Sequence, residues 1–175
     1  MSAIARDEFV ARALDRYEAP LIGYAAGIVR DPERARDVVQ DTFIRLYQQD
    51  IEKVRKGLKT WLYTVCRNRA LDVLRKEGRA VVSDEEKFAH YEAEGLSPRA
   101  VADKEERLVQ VVECLDRLSA NQREVIQLKF QQGLSYKEIE KVTGLTSGNI
   151  GFLIHTGLKR MRSLLPADLL ENLEQ

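Results

Sequence analysis

Between Arg79 and Leu96 the chain gives up the apolar periodicity that governs nearly everything on either side of it. The stretch, which includes "SDEEKFAHYEAEGL", is acidic and repeats no apolar face beyond a short piece near Phe88 and Tyr91. Such a segment serves as a linker rather than as part of a packed layer. It divides the 175 residues into two blocks, 1–78 and 97–175, and each must close a core of its own.

Both blocks read as helix. In "RDPERARDVVQDTFIRLYQQ", Asp31 is placed to cap a helix and Pro32 to open it. Val39, Phe43, Leu46 and Tyr47 then recur at helical spacing as its core face. A basic loop of about eight residues, Asp50 to Gly57, is expected before the next helix, "LKTWLYTVCRNRALDVLRKE", which stops near Gly78. After the linker, Ser97 and Pro98 start a helix. Ser119 with Gln122 and Ser135 with Glu138 carry the spacing of capping boxes. The predicted fold class is all-α: two small helical domains joined by an acidic linker at 79–96.

The overall charge is zero, which seems to argue against a polyanionic partner, but the charge is unevenly distributed. Residues 53–79 are net +7 and 117–165 net +5, while 1–52, 80–116 and the last ten residues are net −3, −6 and −3. Two basic blocks separated by acidic stretches imply two polyanion-facing surfaces. No apolar run reaches the roughly 18–20 residues of a membrane span. The acid-bearing amphipathic N-terminus is unlike a signal peptide, so a cytoplasmic protein is expected. Cys66 and Cys114 stand singly in apolar patterns and read as buried, reduced side chains. An enzyme is not expected. The chain has two histidines and lacks HExxH, GxSxG, a phosphate-binding glycine loop or paired metal carboxylates. No cofactor or metal is implied.

"LSYKEIEKVTGLTSGNIGF" gives a short capped helix, a turn at Gly144 and a second helix, the helix-turn-helix pattern. At about 100° per residue, Ile150, Ile154, Gly157, Met161, Leu164 and Leu165 share one side of the second helix. Gly148, Gly151, Phe152, His155, Thr156, Lys159 and Arg162 share the other. A helix buried all round would not carry that outer face, which reads as an exposed reading surface. From Leu145 through His155, however, it has no Lys or Arg.

Three stretches in order, "DVVQDTFIRLY", "LKTWLYTVCRNRALDVLRK" and "LSANQREVIQLKFQQGLSYKEIEKVTGLTSGNI", resemble the RNA polymerase sigma factors of the extracytoplasmic-function (ECF) group. The resemblance implies an alternative sigma factor that binds core polymerase and directs promoter recognition, melting and initiation. The first stretch would dock on the clamp helices of the largest subunit through Asp37, Gln40, Asp41 and Arg45. The second, with the loop before it, would hold the single-stranded −10 element through Lys53, Arg55, Lys56, Lys59, Trp61, Arg67, Asn68 and Arg69. One flipped base would enter a pocket in that loop. Asp72 and Arg75 read instead as an intrahelical pair. The third stretch, extended along the second helix, would meet the −35 element through Tyr136, Lys137, Asn149, Phe152, His155, Thr156, Lys159 and Arg162. On these expectations residues 1–78 bind core polymerase and the −10 strand, and 97–175 bind the −35 duplex. The implied partners are core polymerase (clamp helices, and the flap of the second-largest subunit), promoter DNA and an anti-sigma factor, with no membrane span. The location is the cytoplasm, on the nucleoid.

Two departures from the family's pattern qualify the resemblance. Gly151, Phe152, Leu153 and Thr156 stand where members usually carry cations, which implies a −35 element richer in T and less dependent on G. Glu140 stands where a small residue usually packs. The residues alone also leave open a stand-alone helix-turn-helix regulator that binds duplex DNA without polymerase, and an apolar Gly151–Phe152–Leu153 patch that faces protein.

Overall fold

The computed structural model describes residues 2–78 and 98–168, and the expectations for the linker and the Ser97 cap lie outside the described residues. All regular structure among the described residues is helical. The elements fall into two compact units.

The first unit is built on α1 (Ala3–Val29), α2 (Pro32–Gln48) and α4 (Leu58–Lys76). Asp31 caps α2 as its chemistry requires, its carboxylate accepting from the N–H groups of Glu33 and Arg34 at 2.9 and 3.2 Å. Leu21, Ala25 and Val29 of α1, Val38 and Leu46 of α2, and Leu62, Tyr63 and Cys66 of α4 are buried. The rings of Tyr24 and Tyr63 meet edge to face at 5.1 Å. Burial pushes the Cys66 thiol up to about 12, so it stays a neutral, apolar packing group.

Two expectations are corrected here. The stretch 50–57 is not an open loop: it forms a one-turn helix, α3 (Ile51–Val54), and a 3-10 turn, Arg55–Gly57. Asp50 caps that turn, and Ile51 and Val54 anchor it by burying their side chains. Tyr47 is not core but 46% exposed. The Arg6 guanidinium covers its ring at 5.9 Å and donates to its carbonyl at 2.7 Å.

A short helix, α7 (Tyr136–Thr143), packs against α4 and completes this unit. Its capping box is formed as expected, and Gly144 ends it at a φ of +75°, a conformation that suits glycine. The division by packing therefore differs from the sequence division at 96/97, which groups α7 with the second block.

The second unit holds α5 (Pro98–Asp116), α6 (Ala120–Ile126), a π-helical turn at Gln127–Gln131, and α8 (Ser147–Leu164). The Ser119–Gln122 capping box starts α6 and the Thr146 hydroxyl caps α8. The close approach of α6 and α8 depends on Gly157, because a Cβ there would lie 2.6 Å from Cδ1 of Ile126. Cys114 and Leu165 close the core at its other end with Val111, Met161 and Leu164. Arg123 is buried and pairs with Asp116 at 3.2 Å, which ties the start of α6 to the end of α5.

Candidate nucleic-acid and partner interfaces

The α2 helix presents one polar face to solvent because its other face supplies Val38, Val39, Phe43 and Leu46 to the core. Asp37, Gln40 and Arg45 are exposed and Asp41 is half-buried, so the four anticipated residues lie on the solvent side of one helix. Among them stands Ile44, 56% exposed, which the sequence reading passed over. The signal was available: Ile44 is one turn from Gln40 and breaks an otherwise polar stripe. Single exposed aliphatics are ordinary on protein surfaces, so what singles out Ile44 is its place among the four residues expected to dock.

Around the start of α4 the cations differ in how they are committed. Lys53 stands 3.6 Å from Asp50, and Arg55 the same distance from Glu52, one turn back in each case. Lys56 is exposed and has no acidic partner among the described residues. A recess of about 470 Å³ opens beside it, lined from the other side by α1. Phe9, Arg12, Arg16 and Tyr17 line this space together with Lys56, Lys59 and the acid Glu138. Arg16 also stands over the Tyr17 ring at 5.4 Å. The α1 contribution was missed from sequence, although Phe9, Arg12 and Arg16 recur at helical spacing and Tyr17 follows at once. Glu138 accepts from the Ser135 N–H at 2.7 Å and from the Thr60 hydroxyl at 3.2 Å. Those hydrogen bonds hold its carboxyl below the ordinary range.

Along α4 the anticipated residues divide. Asn68 is exposed, whereas Trp61 and Arg67 are half-buried. Arg69 reaches across to α2, its Nε donating to Oδ2 of Asp41 at 2.7 Å. Asp72 pairs with Arg75 at 3.3 Å within the helix, as its spacing suggests.

On α8 the exposed stripe runs through Gly148, Phe152, His155, Lys159 and Arg162, with Asn149 beside it. Phe152 is 63% exposed. His155, Lys159 and Arg162 border a depression of about 360 Å³ with Leu158. Two residues expected on this face are less open: Gly151 and Thr156 are half-buried. The Thr156 hydroxyl accepts from Nε2 of Gln122 at 3.0 Å and donates to the Phe152 carbonyl at 2.9 Å. Thr156 therefore belongs to the α6–α8 seam, a correction to the outer face drawn from periodicity. On α7, Tyr136 and Lys137 are exposed, and Glu140 is half-buried.

The chain has relatives among known proteins. The Sigma-70 region 2 family profile matches residues 13–80, and the Sigma-70, region 4 profile matches residues 108–161. The chain is 31% identical over 167 residues to the ECF RNA polymerase sigma factor SigL of Mycobacterium tuberculosis, covering 93% of each. It is 28% identical over 166 residues to SigX of Bacillus subtilis, covering 90% of this chain and 86% of that one. Among solved structures, the sigma factor RpoE of Bartonella quintana, in complex with the anti-sigma factor NepR, superposes with a TM-score of 0.65 at 27% identity. That match spans 90% of this chain and 97% of that one.

Proposed function

The chain belongs to the ECF family of RNA polymerase sigma factors, alternative sigma factors that direct promoter recognition with RNA polymerase, and we propose how its surfaces divide that work. The α2 face takes the clamp helices of the polymerase largest subunit, with Asp37, Gln40, Asp41 and Arg45 as the polar rim and Ile44 as the apolar anchor. The recess between α1 and the start of α4 takes a flipped base of the −10 non-template strand. Tyr17 and Phe9 supply stacking surface there, and Arg12, Arg16, Lys56 and Lys59 supply phosphate neutralisation. Lys53, Arg55, Trp61, Arg67, Asn68 and Arg69 extend that path. The exposed stripe of α8 meets the −35 duplex, and Tyr136 and Lys137 of α7 are each assigned to −35 DNA in their own right. Asn149 and His155 read base edges there, Phe152 meets a thymine methyl, and Lys159 and Arg162 hold phosphates. The polymerase flap and an anti-sigma factor are further partners, the latter by analogy with RpoE and NepR. Residues 1–78 and 97–175 act as the two functional domains.

The observation that carries this division is the recess. It is large enough for a nucleobase, and cations and aromatic rings approach it from two helices. Among the described residues no helix is long and apolar enough to cross a membrane. We assign the protein to the cytoplasm, on the nucleoid, with no catalytic, metal or cofactor role for any residue. A stand-alone duplex-binding regulator is not favoured, since the likeness to a sigma factor runs through 93% of the chain. The test is run-off transcription with purified core polymerase and promoter templates from in vitro selection. Specific transcripts that require this protein are expected, and tight, specific duplex binding without polymerase would sink the reading.

A further inference from the structure

The ion pair between Asp41 and Arg69 joins a residue of the proposed polymerase face to a residue of the proposed −10 path. Arg69 reaches its carboxylate through Nε at 2.7 Å, whereas Arg36, Arg55, Arg75 and Arg123 do so through Nη1 and Arg34 uses both, Nε toward Asp31 at 3.5 Å and Nη1 toward Glu77. A guanidinium carries five N–H donors in a rigid fork, and four of them sit on the two Nη nitrogens. Pairing through Nε alone leaves those four without a partner among the described residues. Among the described residues the Asp41 bond is the one hydrogen bond the Arg69 side chain makes. Asp72, the acid one turn along α4 that could compete for it, is held by Arg75. The pair is also only half-buried, with side-chain exposures of 27% for Arg69 and 41% for Asp41. A pair serving stability alone gains most from a two-pronged arrangement, and a half-exposed, one-pronged pair contributes little.

We propose that Asp41 is a positioning residue for DNA: it anchors Arg69 through Nε so that both Nη groups are presented to one phosphate of the single-stranded −10 element. This rests on the reading of α4 as the −10 surface. Asp41 then acts on DNA through Arg69, whatever it also contributes to polymerase docking.

The experiment uses the full chain assembled with saturating core polymerase. Binding of the assembled enzyme to a single-stranded −10 non-template oligonucleotide is measured across a salt series. Arg69→Gln should weaken binding roughly tenfold and lower the slope of log K against log salt by about 0.7, the loss of one phosphate contact on a single strand. Asp41→Asn should weaken binding about three- to tenfold while keeping the slope, because the cation is still present but no longer aimed. Asp41→Glu should recover part of the loss. The double variant should bind no more weakly than Arg69→Gln alone. If Asp41→Asn is silent in this assay, or its loss persists undiminished on the Arg69→Gln background, the positioning role is overturned while the −10 reading stands. If Arg69→Gln itself changes neither affinity nor slope, the −10 role of Arg69 fails first and the proposal fails with it. Thermal melting of each variant separates these results from misfolding.

Discussion

The two candidate DNA surfaces are built on opposite principles. At the start of α4 the surface is concave, and cations converge on it from α1 and α4 around two aromatic rings. On α8 the surface is a stripe along one helix whose N-terminal half exposes Gly148, Asn149, Phe152 and His155, with Lys159 and Arg162 only beyond them. The first arrangement suits a melted strand, in which unstacked bases can be swallowed and phosphates follow a groove. The second suits a duplex read by edges and methyl groups, with phosphate contacts displaced to one end. The difference predicts that most of the electrostatic affinity for DNA lies in the first unit.

The largest expected effect tests that directly. Reversing Arg12 and Lys56 together to Glu should abolish measurable binding of the assembled enzyme to a −10 oligonucleotide, with a loss of at least about 3 kcal/mol if each charge meets a phosphate. Reversing Lys159 and Arg162 on α8 should cost less and leave oligonucleotide binding intact. A comparable loss from the α8 pair in the single-strand assay would erase the distinction between the surfaces.

A second effect separates DNA contact from polymerase docking. Ile44→Asp on α2 should weaken assembly with core polymerase by about 2 kcal/mol, the scale of an interface anchor. It should leave thermal stability nearly unchanged, because the side chain is already more than half exposed. Affinity for core polymerase within twofold of the unaltered protein would remove Ile44 from the interface.

What could be read from sequence follows the range of the interactions concerned. The Asp31 cap, both capping boxes and the Gly144 stop are set by residues within four positions of one another, and all were legible. The inner stripe of α8 followed from periodicity alone. The recess did not, because its two walls come from α1 and from residues 55–60, far apart in the chain. The Asp41–Arg69 pair spans 28 positions and left no local trace. Residues 50–57 looked like loop because they are rich in charge, yet burial of Ile51 and Val54 against the rest of the unit folds them into helical turns. Tyr47 failed in the opposite sense: its spacing fits the core face, but its ring lies at the surface beneath the Arg6 guanidinium of α1. Thr156 shows the limit of a wheel drawn at 100° per residue, since a residue near the boundary is assigned by its partner, here Gln122.

A smaller effect addresses the α8 stripe by itself. Phe152→Ala should reduce −35 duplex affinity by about 1 kcal/mol on templates with thymine at the contacted position, and by less where the methyl is absent. The ratio of binding to thymine- and uracil-substituted duplexes measures it. A ratio unchanged by the substitution would turn Phe152 away from DNA and leave its exposure to be explained by a protein partner.

The smallest effect contrasts the two units through their capping boxes. Both use a serine hydroxyl on the N3 amide, but the returning side chain is Glu138 in α7 and Gln122 in α6. Only the first can titrate. The Ser135 N–H and the Thr60 hydroxyl hold the Glu138 carboxyl below its unfolded value of 4.5. A folded pKa depressed in this way means that the charged form stabilises the fold. The contribution is complete above about 4.5 and is lost as pH falls through the lower folded value. At the surface it amounts to no more than about half a kcal/mol. Hydrogen exchange of the first-turn amides of α7, Ser135 included, should therefore lose protection as pH falls below about 4.5 relative to the matching amides of α6, once the pH dependence of intrinsic exchange is divided out. Glu138→Gln should make the two boxes behave alike, because an amide oxygen accepts the same N–H at every pH in that range. If the two helices lose protection in step in the unaltered protein, the carboxylate adds nothing that an amide does not, and the two helix starts are energetically equivalent despite their different chemistry.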